Sequence, residues 1–127
     1  MRAVYSQPVA DSPLASLKFR IRVMRAEENA FGPGKADILD SLLETGSLNR
    51  TASGMKMSYV KALSLVHAMN DLFREPLVEL SRGGKQGGGT QVTDFGRKVL
   101  AEYRAMCEAS ELAGRPAWRR LRKLLKN

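Results

Sequence analysis

Cysteine and histidine are nearly absent from this 127-residue chain, which holds one of each, Cys107 and His67. A lone thiol excludes an intrachain disulfide, and two such residues cannot supply the ligands of a structural zinc ion. Long apolar runs are missing too. No stretch reaches the roughly 20 residues that cross a bilayer, and residues 1–13, MRAVYSQPVADSP, lack the apolar core of a secretion signal. A cytoplasmic protein with no membrane partner is the expectation. Paired carboxylates, a nucleophile–base couple and a metal cluster are also missing, so neither an enzyme nor a cofactor is expected.

Acids are absent from the end of the chain. Residues 115–127 carry Arg115, Arg119, Arg120, Arg122, Lys123 and Lys126, six of the eight net positive charges. Residues 1–114 hold 15 bases and 13 acids, so overall basicity says little about the body of the protein. An anionic partner has to be argued from the placement of particular bases.

What is present is a hydrophobic fraction of 43%, enough for one modest core. The most informative stretch is residues 47–70, SLNRTASGMKMSYVKALSLVHAMN. Leu48, Ala52 and Met55 recur at helical spacing behind a capping Ser47. Ser58 can cap a second helix, with Ala62, Val66, Met69 and Phe73 as its buried stripe. Ser58, Tyr59, Val60, Lys61 and Ser64 are left at the leading end or outer side of that helix, with His67 farther along as a neutral rim residue. A short helix, a tight corner and a longer helix with a polar tip make the helix-turn-helix pattern. Its geometry suits the major groove, which admits one helix and exposes a base code to side chains at the tip. An ordinary corner between two core helices has the same pattern, and Tyr59 fits either a base contact or a ring closing that corner.

In chain order, residues 1–16 show no periodicity and read as a mobile arm. Leu17, Phe19, Ile21 and Val23 then alternate with Lys18, Arg20, Arg22 and Met24, predicting one strand over 17–24 with a wet basic face. Those bases suit either phosphate contact or the blunting of a sheet edge. A helix over 35–45 follows, with Ile38, Leu39, Leu42 and Leu43 apolar and Gly46 as its stop. The helix-turn-helix occupies 47–73. Leu77–Leu80, a glycine-rich tip carrying Arg82, Lys85 and Gln86, and a return through Gln91 and Val92 predict a hairpin wing over 77–92. The tip is not a phosphate-binding P-loop, because Gln86 follows Lys85 and Glu79 stands where the first glycine belongs. Thr93 caps a long helix over 94–113. There Val99, Tyr103 and Met106 belong to a stripe that must in part cover the three-helix core and is long enough to meet a second copy of the chain as well. Gly114 and Pro116 are expected to interrupt it. The basic tail 114–127 then extends the contact between copies, lies against phosphates or frays.

The order of these elements, with Gly46-Ser47, Met57-Ser58-Tyr59, Met69-Asn70, Pro76-Leu77-Val78-Glu79, Gly83-Gly84-Lys85, Gly87-Gly88-Gly89, Thr93 and Phe95-Gly96, resembles the amino-terminal DNA-binding domain of ModE-type molybdate-responsive regulators, whose winged fold is similar to that of LysR-type regulators. The resemblance covers about residues 35–105. It implies a mainly α protein with a small β-sheet: a winged helix-turn-helix, a long carboxy-terminal dimerisation helix and an extra amino-terminal strand that pairs with the wing. It also implies a homodimeric transcriptional regulator that binds double-stranded DNA at an inverted repeat. The tip of the second helix would enter the major groove; Ser47, Asn49 and Arg50 would meet phosphates, and Arg82, Lys85 and Gln86 a flanking groove. Two departures stand out. Lys56 occupies the corner position where such domains usually carry glycine, and nothing resembles the family's carboxy-terminal molybdate-binding domains. Molybdate is therefore not expected to bind this chain. The rival reading is a non-enzymatic interaction module whose basic tail touches RNA or membrane.

Overall fold

Among the described residues, three short helices and one long one surround a core closed by paired strands. The computed structural model describes residues 9–12, 15–81 and 89–126. Strands β1 (Val9–Ser12) and β2 (Ala15–Leu17) form one antiparallel ladder, and β3 (Val23–Arg25) and β4 (Glu28–Phe31) a second. Helices α1 (Pro33–Thr45), α2 (Leu48–Gly54) and α3 (Tyr59–Leu72) follow, then a third ladder of β5 (Val78–Leu80) and β6 (Thr90–Val92), and finally α4 (Asp94–Arg122).

Local chemistry explains the helix boundaries. Pro33 opens α1 with the fixed backbone angle a first turn needs, and Gly46 closes it in the left-handed region at φ 66°. Ser47, Ser58 and Thr93 each accept a hydrogen bond from the backbone N–H three residues on, capping α2, α3 and α4. At the corner between α2 and α3 the backbone does turn left-handed at Lys56, φ 58°.

Phe31, Ile38, Leu39, Leu42, Ala62, Val66, Met69, Leu77 and Leu100 are almost fully buried together. Phe31 meets Phe73 and Tyr103 edge-on, at 6.1 and 5.0 Å between ring centres. A hydroxyl pair, Ser41 Oγ and Thr51 Oγ1 at 2.8 Å, ties α1 to α2, and an ion pair joins Asp40 to Arg104 of α4.

The chain departs from expectation at both ends. The predicted strand over 17–24 is not one strand: 15–17 pair backward with β1, 23–25 pair forward with β4, and 18–22 have no ladder. The alternation of half-buried and exposed side chains still holds from Ala15 to Ile21. Its partner is the side of a helix. Tyr103 Oη donates to the Ile21 carbonyl at 2.6 Å, and a methyl on Gly114 would sit 3.3 Å from the Phe19 ring. Nor, among the described residues, does this segment pair with β5 or β6, whose ladder is with each other. Residues 9–12, 15 and 16, expected in a mobile arm, lie in paired strands.

The expected break at Gly114 and Pro116 is absent too, since α4 runs unbroken from Asp94 to Arg122. An interior proline costs a helix about 3 kcal/mol. Burial of Trp118, 5% exposed, returns an amount of the same order. The indole shares an apolar groove with Leu17, Leu121 and Leu124, so residues 114–122 are a helix end braced by the amino-terminal strands rather than a separate tail.

Candidate nucleic-acid interface

On α3, Ala62, Val66 and Met69 are fully buried at the i, i+4, i+7 spacing of a helix seated on a core. The opposite side and the leading tip are open. Tyr59 is 45% and Val60 74% exposed, and Ser58, Lys61, Ser64 and His67 are exposed as well. The Tyr59 ring therefore does not close the corner. Ser58 Oγ accepts from the Lys61 N–H at 3.0 Å, and Ser64 Oγ donates to the Lys61 carbonyl at 2.8 Å. Both hydroxyls thus hold the helix start while remaining at the surface. The Lys61 ammonium has no such local duty among the described residues.

At the start of α2, Asn49 and Arg50 are exposed and Ser47 is half-buried by its capping bond. Arg50 also lines a groove of about 660 Å³ with Asp37, Asp40, Glu44 and Arg104. The acids of α1 in that groove are a neighbourhood the sequence spacing does not reveal. Arg82, Lys85 and Gln86 lie outside the described residues.

The three residues expected to meet a second copy divide. Tyr103 is 2% exposed and belongs to the chain's own core, through its hydrogen bond to Ile21 and its contact with Phe31. Val99 is half-buried and Met106 exposed, and both line an apolar groove of about 480 Å³ with Val23, Phe73 and Phe95.

Sequence reasoning assigned no role to Asn70. Its side-chain oxygen accepts the Leu77 N–H at 2.8 Å and the Val78 N–H at 3.3 Å, and its amide nitrogen donates to the Val78 carbonyl at 3.0 Å. Thr93 works from the other side: its backbone N–H donates to the Leu77 carbonyl at 2.9 Å and its hydroxyl to the Pro76 carbonyl at 2.8 Å. The signals in the sequence were its place in the Met69-Asn70 pair of the resemblance and an amide side chain near a helix end, six residues ahead of Pro76.

No protein-family model matches the chain. Among curated proteins it is similar to the molybdenum transport protein ModE of Azotobacter vinelandii, 46% identical over 69 residues, which are 54% of this chain and 26% of that one. The transcriptional regulator ModE of Haemophilus influenzae is 37% identical over 71 residues, 56% of this chain and 28% of the relative. The DNA-binding transcriptional dual regulator ModE of Escherichia coli K12 is 30% identical over 81 residues, 64% and 31% of the two chains. The chain spans about a quarter to a third of the length of these relatives.

Proposed function

We propose that this chain, a relative of ModE-type regulators over one segment, is a winged helix-turn-helix that binds double-stranded DNA as a transcriptional regulator. One observation carries the reading: the tip of α3 leaves Tyr59, Val60 and Lys61 in solvent while the rest of the helix is anchored in the core. A ring, an aliphatic group and an ammonium together suit a major groove, which offers stacked edges, thymine methyls and phosphates.

In this proposal α3 is the recognition helix, Asn49 and Arg50 of α2 face the phosphate backbone, and β5–β6 form the wing that carries Arg82, Lys85 and Gln86 toward a flanking groove. The apolar groove beside Val99 and Met106 receives a second copy, and the twofold pair reads an inverted repeat with half-sites about 34 Å apart. Residues 17–113 form the DNA-binding unit, the amino-terminal strands brace α4, and the basic end of α4 adds sequence-independent attraction. One relative's name refers to molybdenum and another's to DNA binding; only DNA contact is carried over to this chain, with no molybdate site.

Selection from a random duplex pool, followed by footprinting, tests the reading. An enriched inverted repeat protected at two major grooves one turn apart is the expected result. Failure to enrich any duplex sequence would overturn it. Titration calorimetry with molybdate, against sulfate, is expected to show no selective heat.

A further inference from the structure

We infer that Asn70 is a positioning residue for DNA binding, one that sets the wing at a fixed angle to the recognition helix. The inference rests on the DNA-binding reading above. Asn70 stands near the end of α3, and the chain leaves that helix through residues 73–76 before β5 begins. Pro76 has no N–H to pair, and Leu77 lies just before the ladder, so the link has no regular hydrogen bonding of its own. The Asn70 amide supplies it. Three directed bonds to Leu77 and Val78 span the link from inside.

Leu77 is thereby held at both ends, its N–H by α3 and its carbonyl by the first residue before α4. Apolar packing alone would let β5 slide or tilt against α3. Hydrogen bonds weaken steeply once bent, so this arrangement favours one angle. The angle matters because the strand acts as a lever. Over the ~10 Å length of a three-residue strand, a tilt of about 20° moves the far end roughly 3–4 Å. That displacement exceeds the length of a phosphate hydrogen bond. The far end of β5 would then lose its register with the groove read by α3.

A double-mutant cycle on the full chain tests this, using the duplex that the wild type enriches from a random pool. Asn70→Ala is expected to weaken binding roughly 5–10-fold, and no more than about 2-fold when Arg82→Ala and Lys85→Ala are already present. Asn70→Asp keeps the acceptor for both N–H groups and places an oxygen against the Val78 carbonyl; a smaller loss with the same non-additivity is expected. Hydrogen exchange of the Leu77 amide should quicken in Asn70→Ala and stay slow in Asn70→Asp. If Asn70→Ala fails to fold, Asn70→Asp decides the matter.

Equal fold-losses in both wing backgrounds would overturn the inference, as would unchanged affinity despite an opened Leu77 amide. Failure of the wild type to select any duplex would instead bring down the DNA-binding reading, and this inference with it.

Discussion

Gly96 and Leu77 touch so closely that a methyl on the glycine would collide with the Leu77 carbonyl oxygen. The first turn of α4 is thus pressed against the root of β5, and the obstacle is backbone, which cannot swing aside. Gly96→Ala is expected to destabilise the fold by about 1–3 kcal/mol, the usual cost of overpacking. Chemical denaturation would register it, and a wild-type midpoint would show that α4 and β5 separate at little cost.

Lys56 offers the opposite sign. A non-glycine residue at φ 58° carries a left-handed penalty of about 1 kcal/mol. The side chain is exposed, so removing it forfeits little packing. Lys56→Gly is expected to raise stability by several tenths of a kcal/mol, after the entropy glycine adds to the unfolded chain. A lowered melting temperature would mean that Lys56 makes an interaction worth more than its strain.

Lys61→Ala should weaken DNA binding by about tenfold, the scale of one charged interaction, with the fold intact. Arg50→Ala should cost less, because Asp40 and Glu44 share its groove. Removing a base that meets a phosphate should lower the salt slope by about one. Affinity unchanged in both variants would remove the major-groove placement.

Trp118 turns the end of α4 into a structural element. Trp118→Ala is expected to free β1–β2 and speed hydrogen exchange over 9–17 and 114–122, with the three-helix core unaffected. The indole N–H has no partner among the described residues, so Trp118→Phe should be tolerated far better. Deletion of 115–127 should both loosen these strands and reduce salt-dependent, non-specific DNA affinity. Slow exchange surviving in Trp118→Ala would show that the strands hold without the indole.

Alkaline stability follows from two buried acids. Burial, reinforced by the neighbouring Cys107, holds the Tyr103 hydroxyl well above the ordinary tyrosine range. Burial likewise raises the Cys107 thiol. A raised folded value means that stability is fully present below the unfolded value and is lost as pH climbs toward the folded one. Decline should begin near pH 9, the ordinary thiol value, and steepen past 10, that of tyrosine. Lys35 opposes this, its ammonium depressed by burial against a weaker pull from Glu28. Tyr103→Phe should flatten the upper limb while lowering stability at neutral pH through the lost bond to Ile21. A flat profile to pH 11 would show that neither acid resists ionisation.

Much of the helical middle was legible because its signals are local. A serine three residues ahead of the N–H it caps is visible in sequence at Ser47 and Ser58, and Ala62, Val66 and Met69 declare their face by spacing alone. The ends were less legible because their partners are remote. Alternation over Leu17–Ile21 told which side chains are buried but not that a helix 80 or so residues away covers them. Pro116 reads as a stop until the burial of Trp118 is known. Tyr103 looked open to a second copy because periodicity cannot distinguish a stripe covered by its own chain from one left open. Asn70 was visible as a residue, but its partners lie across a turn whose shape it helps to create.

The bond from Tyr103 to Ile21 joins residues 82 apart. On a ribosome adding about 5–20 residues each second, Ile21 waits roughly 4–16 s after its own synthesis before Tyr103 exists to receive it. For that interval Phe19 and Ile21 have no helix to lie on, while α1, α2 and α3 can already assemble behind them. The amino-terminal strands are made first and docked last, so the nascent chain exposes a basic, alternating segment until its long helix has been translated.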